Sequence, residues 1–270
     1  MTKTRSISIG KFERRAVNED AAVARRNMIA VSDGAGGGGL FADRWSRYLV
    51  KHLPKAAIES AGQLDAWIAS IWERFYNRAE EAAKRQGGMF LDKFYDEGSF
   101  ATLAAVWRGD DGECRWMAYG DTVVFCYDYA TKRLRHSFTA LKDFNRAPYL
   151  INCKDELDAA GFKGGSFRLG GEELVFVASD ALAHYILMMY ELSRREEFGA
   201  EIEAAASAGS KNSNFVKNAM WLPPFRFEKE VAGKLRKAAH DERYCRKWLR
   251  GLYEKRLLAR DDYSLGVMYE

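Results

Sequence analysis

Cysteine, histidine and proline are scarce in this sequence, with four residues of each among 270. The cysteines form no CxxC pair and have no zinc-ligand spacing, so we predict that they are small buried hydrophobic residues in a reducing compartment. The histidines form no catalytic triad, and neither a GxSxG motif nor a Cys-x5-Arg loop occurs. The sequence therefore offers no support for a serine or cysteine nucleophile.

Long apolar runs are missing too. No stretch reaches the roughly 18 residues that a membrane span needs, and the charged segment from Met1 to Asp20 has no signal-peptide core. The net charge of +4 is too small to indicate nucleic-acid binding. Basic residues are densest from Lys229 to Arg260, but apolar residues at helical spacing accompany them, which is typical of a solvated helix face. We predict a cytoplasmic protein that binds neither nucleic acid nor membrane.

Hydrophobic residues make up 47% of the chain, enough for a sizeable core, and no internal repeat is visible. We therefore predict a single domain over residues 1–270. Its first third alternates strands and helices. Ser6–Ile9 and Met28–Ser32 have strand patterns, while Phe41–Leu53 and Leu64–Arg85 have the apolar spacing of helices.

From Gly98 the pattern changes to short strands separated by turns, which predicts an antiparallel meander. The run Glu173–Ala178 is apolar enough for a strand buried on both faces, and Tyr263–Tyr269 resembles a last core strand. Between them, Ala181 to about Leu258 is mainly helical. These elements predict an α+β layered fold. The four meander strands are Ser99–Trp107, Cys114–Tyr119, Val123–Tyr129 and Arg133–Phe138.

Aspartates follow or precede several of these strands. Turn preference explains any one of them, but their repetition beside apolar strands indicates a shared cleft. Carboxylates without supporting histidine or cysteine suit Mg²⁺ and Mn²⁺, and two such ions can activate water for attack on phosphorus. Arg14 and Arg15 are candidate phosphate anchors, because guanidinium binds phosphate in a bidentate manner. The aspartates are Asp20, Asp33, Asp121, Asp180, Asp261 and Asp262.

Six short motifs, in order along the chain, resemble those of the PP2C-type (PPM family) metal-dependent serine/threonine protein phosphatases, and of bacterial members in particular. Each motif alone is a weak signal, whereas the ordered set is specific. The motifs are RAVNED at 15–20, SDGAGG at 32–37, GSFAT at 98–102, GDT at 120–122, ASDAL at 178–182 and RDDYS at 260–264.

The resemblance implies a four-layer αββα fold, in which two antiparallel sheets are flanked by helix pairs. It also implies two divalent cations, Mn²⁺ or Mg²⁺. Asp33 would bridge both, the Gly34 carbonyl would bind one, and Asp180 and Asp261 would bind the other. Arg15 would hold the phosphate.

Further roles follow from the same resemblance. Glu19 and Asp20 would act through bound water, and Asp121 matches the position of a third, looser metal. The segment at about 181–260 would be a helical insertion or flap. The substrate would be a phosphoserine or phosphothreonine protein, with a cognate kinase as a further partner.

Four departures from the family pattern leave every implied ligand in place: Phe100, Thr122-Val123, Ala181 and Ala35. Ala35 stands where some relatives carry a histidine proposed as general acid, so the domain could instead be a catalytically weak module that binds phosphoproteins. His184, four residues after Asp180, is the other general-acid candidate, although a structural role suits it better. The rival GxGxxG match at 34–39 predicts a dinucleotide fold but leaves Asp180 and Asp261 unexplained.

Overall fold

The computed structural model of the protein describes residues 2–13, 16–37 and 39–270. The strands are β1 Lys3–Ile9, β2 Ala21–Arg25, β3 Met28–Ser32, β4 Phe100–Ala101, β5 Leu103–Arg108, β6 Glu113–Tyr119, β7 Val123–Asp128, β8 Arg133–His136, β9 Ile151–Asn152, β10 Phe162–Arg168, β11 Glu173–Ala178 and β12 Tyr263–Tyr269. The helices are α1 Ala42–His52, α2 Ala61–Gln86, α3 Gly88–Glu97, α4 Asp180–Leu192, α5 Arg195–Ser207, α6 Lys211–Ala219, α7 Gly233–Ala238 and α8 Glu242–Glu254.

Ten of the strands form two five-stranded sheets. Sheet 1 has the order β1-β12-β11-β7-β8, and sheet 2 has the order β10-β6-β5-β3-β2. Neighbouring strands in both sheets are antiparallel. The short strands β4 and β9 pair separately. Antiparallel pairing throughout the described strands is incompatible with the parallel βαβ units of a dinucleotide fold.

Side-chain alternation explains why the two sheets stack. In β11, Val175 and Val177 point into the cluster between the sheets, whereas Leu174 and Phe176 pack on the helical side. Strand β3 alternates in the same way, so both of its faces are buried. A strand buried on both faces reads as a continuous apolar run, which is the pattern from which β3 and β11 were predicted.

Helices cover both outer faces. Helices α1 to α3 pack on sheet 2 around Trp45, Leu64 and Phe75. Helices α4 to α8 pack on sheet 1 around residues such as Tyr185 and Leu249. The resulting order is helix, sheet, sheet, helix, which confirms the predicted α+β fold of two stacked antiparallel sheets.

The predicted meander is wrong at its centre. Strand β6 pairs with β5 and β10 in sheet 2, whereas β7 pairs with β8 and β11 in sheet 1. The chain therefore crosses from one sheet to the other at Gly120-Asp121-Thr122. Strand propensity does not reveal this crossing, because pairing partners distant in sequence decide which sheet a strand joins. The crossing places Asp121 at the junction between the sheets.

Other expectations concern burial and membrane insertion. The four cysteines are buried free thiols, as predicted. Within the described residues, no helix combines the length and apolar character needed to cross a bilayer. The long segment between β11 and β12 consists of five helices and a π-helical turn at Glu228–Ala232.

Candidate active site

The register of the sheets gathers the strand-end aspartates at one edge. Asp20 precedes β2 and Asp33 follows β3, and the adjoining residues Ala21 and Ser32 are paired. Strands β11 and β12 are antiparallel in the same way, so the end of β11 lies beside the start of β12. Asp180 and Asp261 flank those ends. The sheet crossing adds Asp121, so five predicted carboxylates lie around one cleft.

The Asp33–Ala35 loop is fixed by the segment that follows α3. The Thr102 amide donates to the Asp33 carbonyl at 2.8 Å, and the Ala35 amide donates to the Phe100 carbonyl at 3.0 Å. Between them, Gly34 forms an isolated bridge with Ala101. The backbone thus holds Asp33 in place from the neighbouring segment, which gives the GSFAT motif a structural role.

Glycine is required at position 34 for steric reasons. A Cβ atom built there would lie 2.6 Å from the Glu19 carbonyl oxygen and 2.7 Å from the Ala42 carbonyl oxygen. Backbone atoms at this distance have little freedom to move aside. The missing side chain lets the segment that contains Glu19, the Asp33 loop and the start of α1 approach one another.

A threonine pair joins Asp121 to the same loop. The Oγ1 atoms of Thr102 and Thr122 are 2.5 Å apart, and Ser32 Oγ donates to the Thr102 carbonyl at 2.6 Å. Gly120 has a φ of +92°, a conformation that favours glycine. Thr122, a departure from the family pattern, therefore contributes to the hydrogen bonds that position the cleft.

Asp262 was not predicted to have a positioning role. Its Oδ1 accepts the Lys11 amide at 2.7 Å, and its Oδ2 accepts the Glu19 amide at 2.7 Å. The carboxylate is almost fully buried, with 2% of the residue exposed. It fastens the start of β12 to both ends of the β1–β2 connection, the segment that carries Arg14 and Arg15. Only the long-range pairing of β12 with β1 reveals this role.

The segment Asn18–Glu19 is held from α1 as well. Ser46 Oγ donates to the Glu19 carbonyl at 2.5 Å, and the Arg47 guanidinium donates to the Asn18 carbonyl at 2.7 Å. Lys11 Nζ lies 3.8 Å from Glu19 Oε2. Lys11 is a cation at the cleft that sequence reasoning missed, since the family motifs do not include it.

Three carboxyl groups lie close together at the centre of the cleft, with Asp33 between the other two. The Asp33 side chain lies within hydrogen-bonding reach of both Asp20 and Asp180. Burial, together with the charge of Asp180, raises the pKa of Asp20 to about 8. Burial raises the pKa values of Asp33 and Asp180 well above the usual range, and the charges of neighbouring aspartates, including Asp121 and Asp261, add to the rise in both. One oxygen of Asp20, Oδ2, is buried without a hydrogen-bond partner.

The pKa values of the outer carboxylates, Asp121, Asp261 and Glu19, are raised less strongly. Burial raises the pKa of Asp121 to about 6, with the Asp261 charge adding to the shift. Burial also raises the pKa of Asp261 and of Glu19, while the nearby Lys11 lowers both. Like charges at this density do not ionise together without a counter-charge. The carboxylates of the cleft therefore need neutralising positive charge, which either protons or bound metal cations can supply.

The donor set fits hard divalent cations. It consists of carboxylate oxygens and the Gly34 carbonyl, which are the ligand types that Mg²⁺ and Mn²⁺ prefer. Across residues 2–13, 16–37 and 39–270, no group of three histidine, cysteine, aspartate or glutamate side chains is arranged so that it could already hold an ion. Bound cations would supply the counter-charge that protons on these carboxyl groups supply otherwise.

Three further predictions concern other groups. Arg15, the predicted phosphate anchor, and Arg14 lie outside the described residues. Ala181 is the second residue of α4, where its φ is helical, so alanine is tolerated beside Asp180 as expected. His184 packs against the rings of Phe144 and Phe215, and burial lowers its pKa to about 4. It is neutral near pH 7, which argues against a general-acid role.

Solved bacterial phosphatases have the same fold. Serine/threonine phosphatase Stp1 from Staphylococcus aureus matches with a TM-score of 0.57 and 12% identity, over 100% of this chain and 95% of Stp1. The catalytic domain of PstP, solved with two manganese ions, matches with a TM-score of 0.54 and 16% identity, over 99% and 97%. PppA from Pseudomonas aeruginosa matches with a TM-score of 0.51 and 16% identity, over 99% of this chain and 97% of PppA. No family model and no curated protein matches the chain.

Proposed function

We propose that this protein is a PP2C-type phosphatase that hydrolyses phosphoserine or phosphothreonine in proteins with the help of two divalent cations. The observation that carries the proposal is the gathering of strand-end carboxylates at one edge of two stacked sheets. Because Asp33 lies close to both Asp20 and Asp180, these carboxylates need neutralising positive charge. The fold shared with bacterial serine/threonine phosphatases supports the same chemistry.

The proposed roles follow the position of each group. Asp33 would bridge two Mn²⁺ or Mg²⁺ ions, the Gly34 carbonyl would bind one, and Asp180 and Asp261 would bind the other. When bound, such ions supply an activated water and neutralise charge on the phosphoryl group. The manganese ions of PstP support this choice of cofactor. The outer groups Glu19, Asp20 and Asp121 would orient water around the ions.

Residues of the chain itself would bind and orient the substrate. Arg15 is proposed to hold two phosphate oxygens, and Lys11, whose Nζ lies 3.8 Å from Glu19 Oε2, adds positive charge at the cleft. Asp262 would keep this segment in register with the carboxylates, because it fastens the backbone of Lys11 and Glu19. Residues 1–270 would act as one phosphatase domain with a helical insertion at about 181–260. The protein would work in the cytoplasm, where it would reverse the phosphorylation carried out by a cognate kinase.

Phosphate release from a phosphoserine peptide tests the proposal. Purified protein, freed of metal by chelation, should be inactive, and activity should return on addition of Mn²⁺ or Mg²⁺. A phosphopeptide that binds without being hydrolysed, under any metal condition, would instead identify a phosphoprotein-binding module. Full activity after exhaustive chelation would exclude the two-metal reaction.

A further inference from the structure

A second recess opens beside two of the proposed metal ligands. This cleft has a volume of about 1010 Å³ and reaches Asp180 and Asp261 at one end. Helix α6 forms one wall, and the residues from Tyr253 to Arg260, at the end of α8, form the other. We call it the α6 cleft. Its position allows the chain on either side of a phosphoresidue to enter it while the phosphate lies at the carboxylates.

The walls of the α6 cleft carry an excess of positive charge. Lys211, Lys217 and Arg256 line it, and each is exposed. None of the three forms a salt bridge with a carboxylate elsewhere in the described residues, whereas Arg260 pairs with Glu13. Glu254 is the one acidic residue in the lining besides the two aspartates. Cations bound at those aspartates would leave the cleft more positive still.

The basic walls are held in place. Asn218 Nδ2, on α6, donates to the Arg256 carbonyl at 3.2 Å and so ties the two walls together. Asn212 Nδ2 donates to the Phe144 carbonyl at 3.0 Å, and Phe215 packs against His184. A rigid wall does not lose side-chain and backbone freedom on binding to the extent that a mobile loop does.

Arg256 has an unfavourable backbone conformation. Its φ is +55°, in the left-handed region where glycine is free of steric strain and other residues are not. An arginine at this position costs stability that a glycine would not. The conformation belongs to the Schellman cap that ends α8, in which the Leu257 amide donates to the Leu252 carbonyl at 3.0 Å and the Arg256 amide donates to the Tyr253 carbonyl at 2.9 Å. Arg256 lines the same cleft as the two lysines of α6.

We propose that the α6 cleft binds substrate residues next to the phosphoresidue and selects anionic groups there, either acidic side chains or a second phosphate. This rests on the proposed phosphatase function and names its substrate class. Lys211 and Lys217 are six residues apart, which is about 9 Å along a helix. An extended peptide covers this distance in roughly three residues. Because both lysines line the same cleft, a substrate with more than one anionic group in its flank would have a cation available for each.

The test compares kcat/KM for three phosphoserine peptides with neutral flanks, aspartate-rich flanks or a second phosphoserine. Manganese-loaded wild-type protein should prefer the anionic peptides, with each cation contributing about two- to fivefold. The preference should shrink as NaCl is raised, because salt screens exposed charges. Whichever anionic peptide is favoured identifies the anion, and equal rates on all three peptides at low salt would overturn the proposal.

Variants make the test specific. K217E should reduce the ratio of acidic to neutral peptide, whereas K229E, an exposed lysine outside the cleft, should leave it unchanged. R256G should lower the ratio while keeping or increasing thermal stability, because glycine relieves the left-handed strain. Equal effects of K217E and K229E would contradict a role for the cleft.

Failure of the phosphatase proposal remains distinguishable. Hydrolysis of an aryl phosphate without any preference among the three peptides would contradict the α6-cleft proposal and leave the phosphatase proposal standing. If no substrate is hydrolysed, fluorescence anisotropy of the labelled phosphopeptides decides the matter. Weaker binding of the acidic peptide by K217E than by K229E supports the cleft, and equal binding overturns it.

Discussion

The carboxylate floor of the active site consists of Asp20, Asp33, Asp121, Asp180 and Asp261. The α6 wall beside it is helix α6 with its exposed lysines. The two regions differ in how their side chains are held in place. The floor is fixed by backbone hydrogen bonds from segments far apart in sequence, as Asp262 and Thr102 show. The wall presents exposed cations on a helix of the outer layer. A floor held from several sides should tolerate almost no change, whereas the wall should change substrate choice without abolishing chemistry.

The largest effect is expected at Asp33. Replacing it with asparagine removes charge from both proposed cations, so activity should fall by more than the roughly 10–100-fold loss typical of outer-sphere changes. D180N and D261N should also be severe. The matched control is D65N, an exposed aspartate on α2. Phosphate release and Mn²⁺ binding by calorimetry should fall together in D33N, and an active D33N would remove Asp33 from the site.

A smaller, different effect is expected at Asp262. Family resemblance alone predicts that D262N is mild, but the two carboxylate oxygens of Asp262 accept hydrogen bonds from the part-buried amides of Lys11 and Glu19. Asparagine accepts only one of them and turns a donor toward the other, which should cost about 1–3 kcal/mol of unfolding free energy. D261N should spare stability and remove activity. Denaturant unfolding of both variants separates these outcomes, and a fully stable D262N would contradict the positioning role.

The next prediction concerns stability and pH. Because the folded-state pKa of Asp20 is about 8 instead of 3.8, the metal-free protein should lose stability as pH rises between these values. Mn²⁺ should remove much of this loss by replacing the protons. Glu191 on α4, whose pKa burial also raises to about 8, should respond to pH regardless of Mn²⁺.

Unfolding measured at pH 5 and pH 8, with and without Mn²⁺, checks this difference between the floor and an isolated buried carboxylate. Between pH 5 and pH 8, the loss of unfolding free energy that Mn²⁺ removes is expected to be on the order of 1–3 kcal/mol. In E191Q, the remaining pH dependence should be smaller, and the Mn²⁺-dependent part should persist. Identical pH profiles with and without Mn²⁺ would show that the floor does not bind the ion.

The smallest expected effect is at Ala35. A general acid matters most when the leaving group is poor, and it typically supplies 10²–10⁴-fold. With alanine here and His184 buried, kcat should depend steeply on leaving-group acidity across a series of aryl phosphates. A35H should weaken the dependence of kcat on leaving-group acidity, because the histidine would restore part of the 10²–10⁴-fold contribution for poor leaving groups. A flat series for the wild-type chemical step would reveal an acid elsewhere in the cleft.

The same contrast between floor and wall explains how much the sequence could predict. Strands β3, β11 and β12 have the predicted bounds, because continuous apolar runs next to aspartates are local signals. The sheet crossing at Asp121 and the Asp262 bonds depend on partners distant in sequence, so no local pattern indicates them. The run Trp221-Leu222-Pro223-Pro224-Phe225 is apolar, yet Trp221 is 90% exposed, since apolar composition does not reveal which side of a turn meets the core.

Occupancy and turnover measured on one sample test the central claim most directly. Chelated protein is titrated with Mn²⁺, the bound ions are counted by equilibrium dialysis, and phosphate release from a phosphoserine peptide is measured at each point. We predict no turnover without bound ion, a rise that reaches its maximum near two ions per chain, and neither binding nor turnover in D33N. Full turnover by wild-type protein with no bound ion would contradict the account.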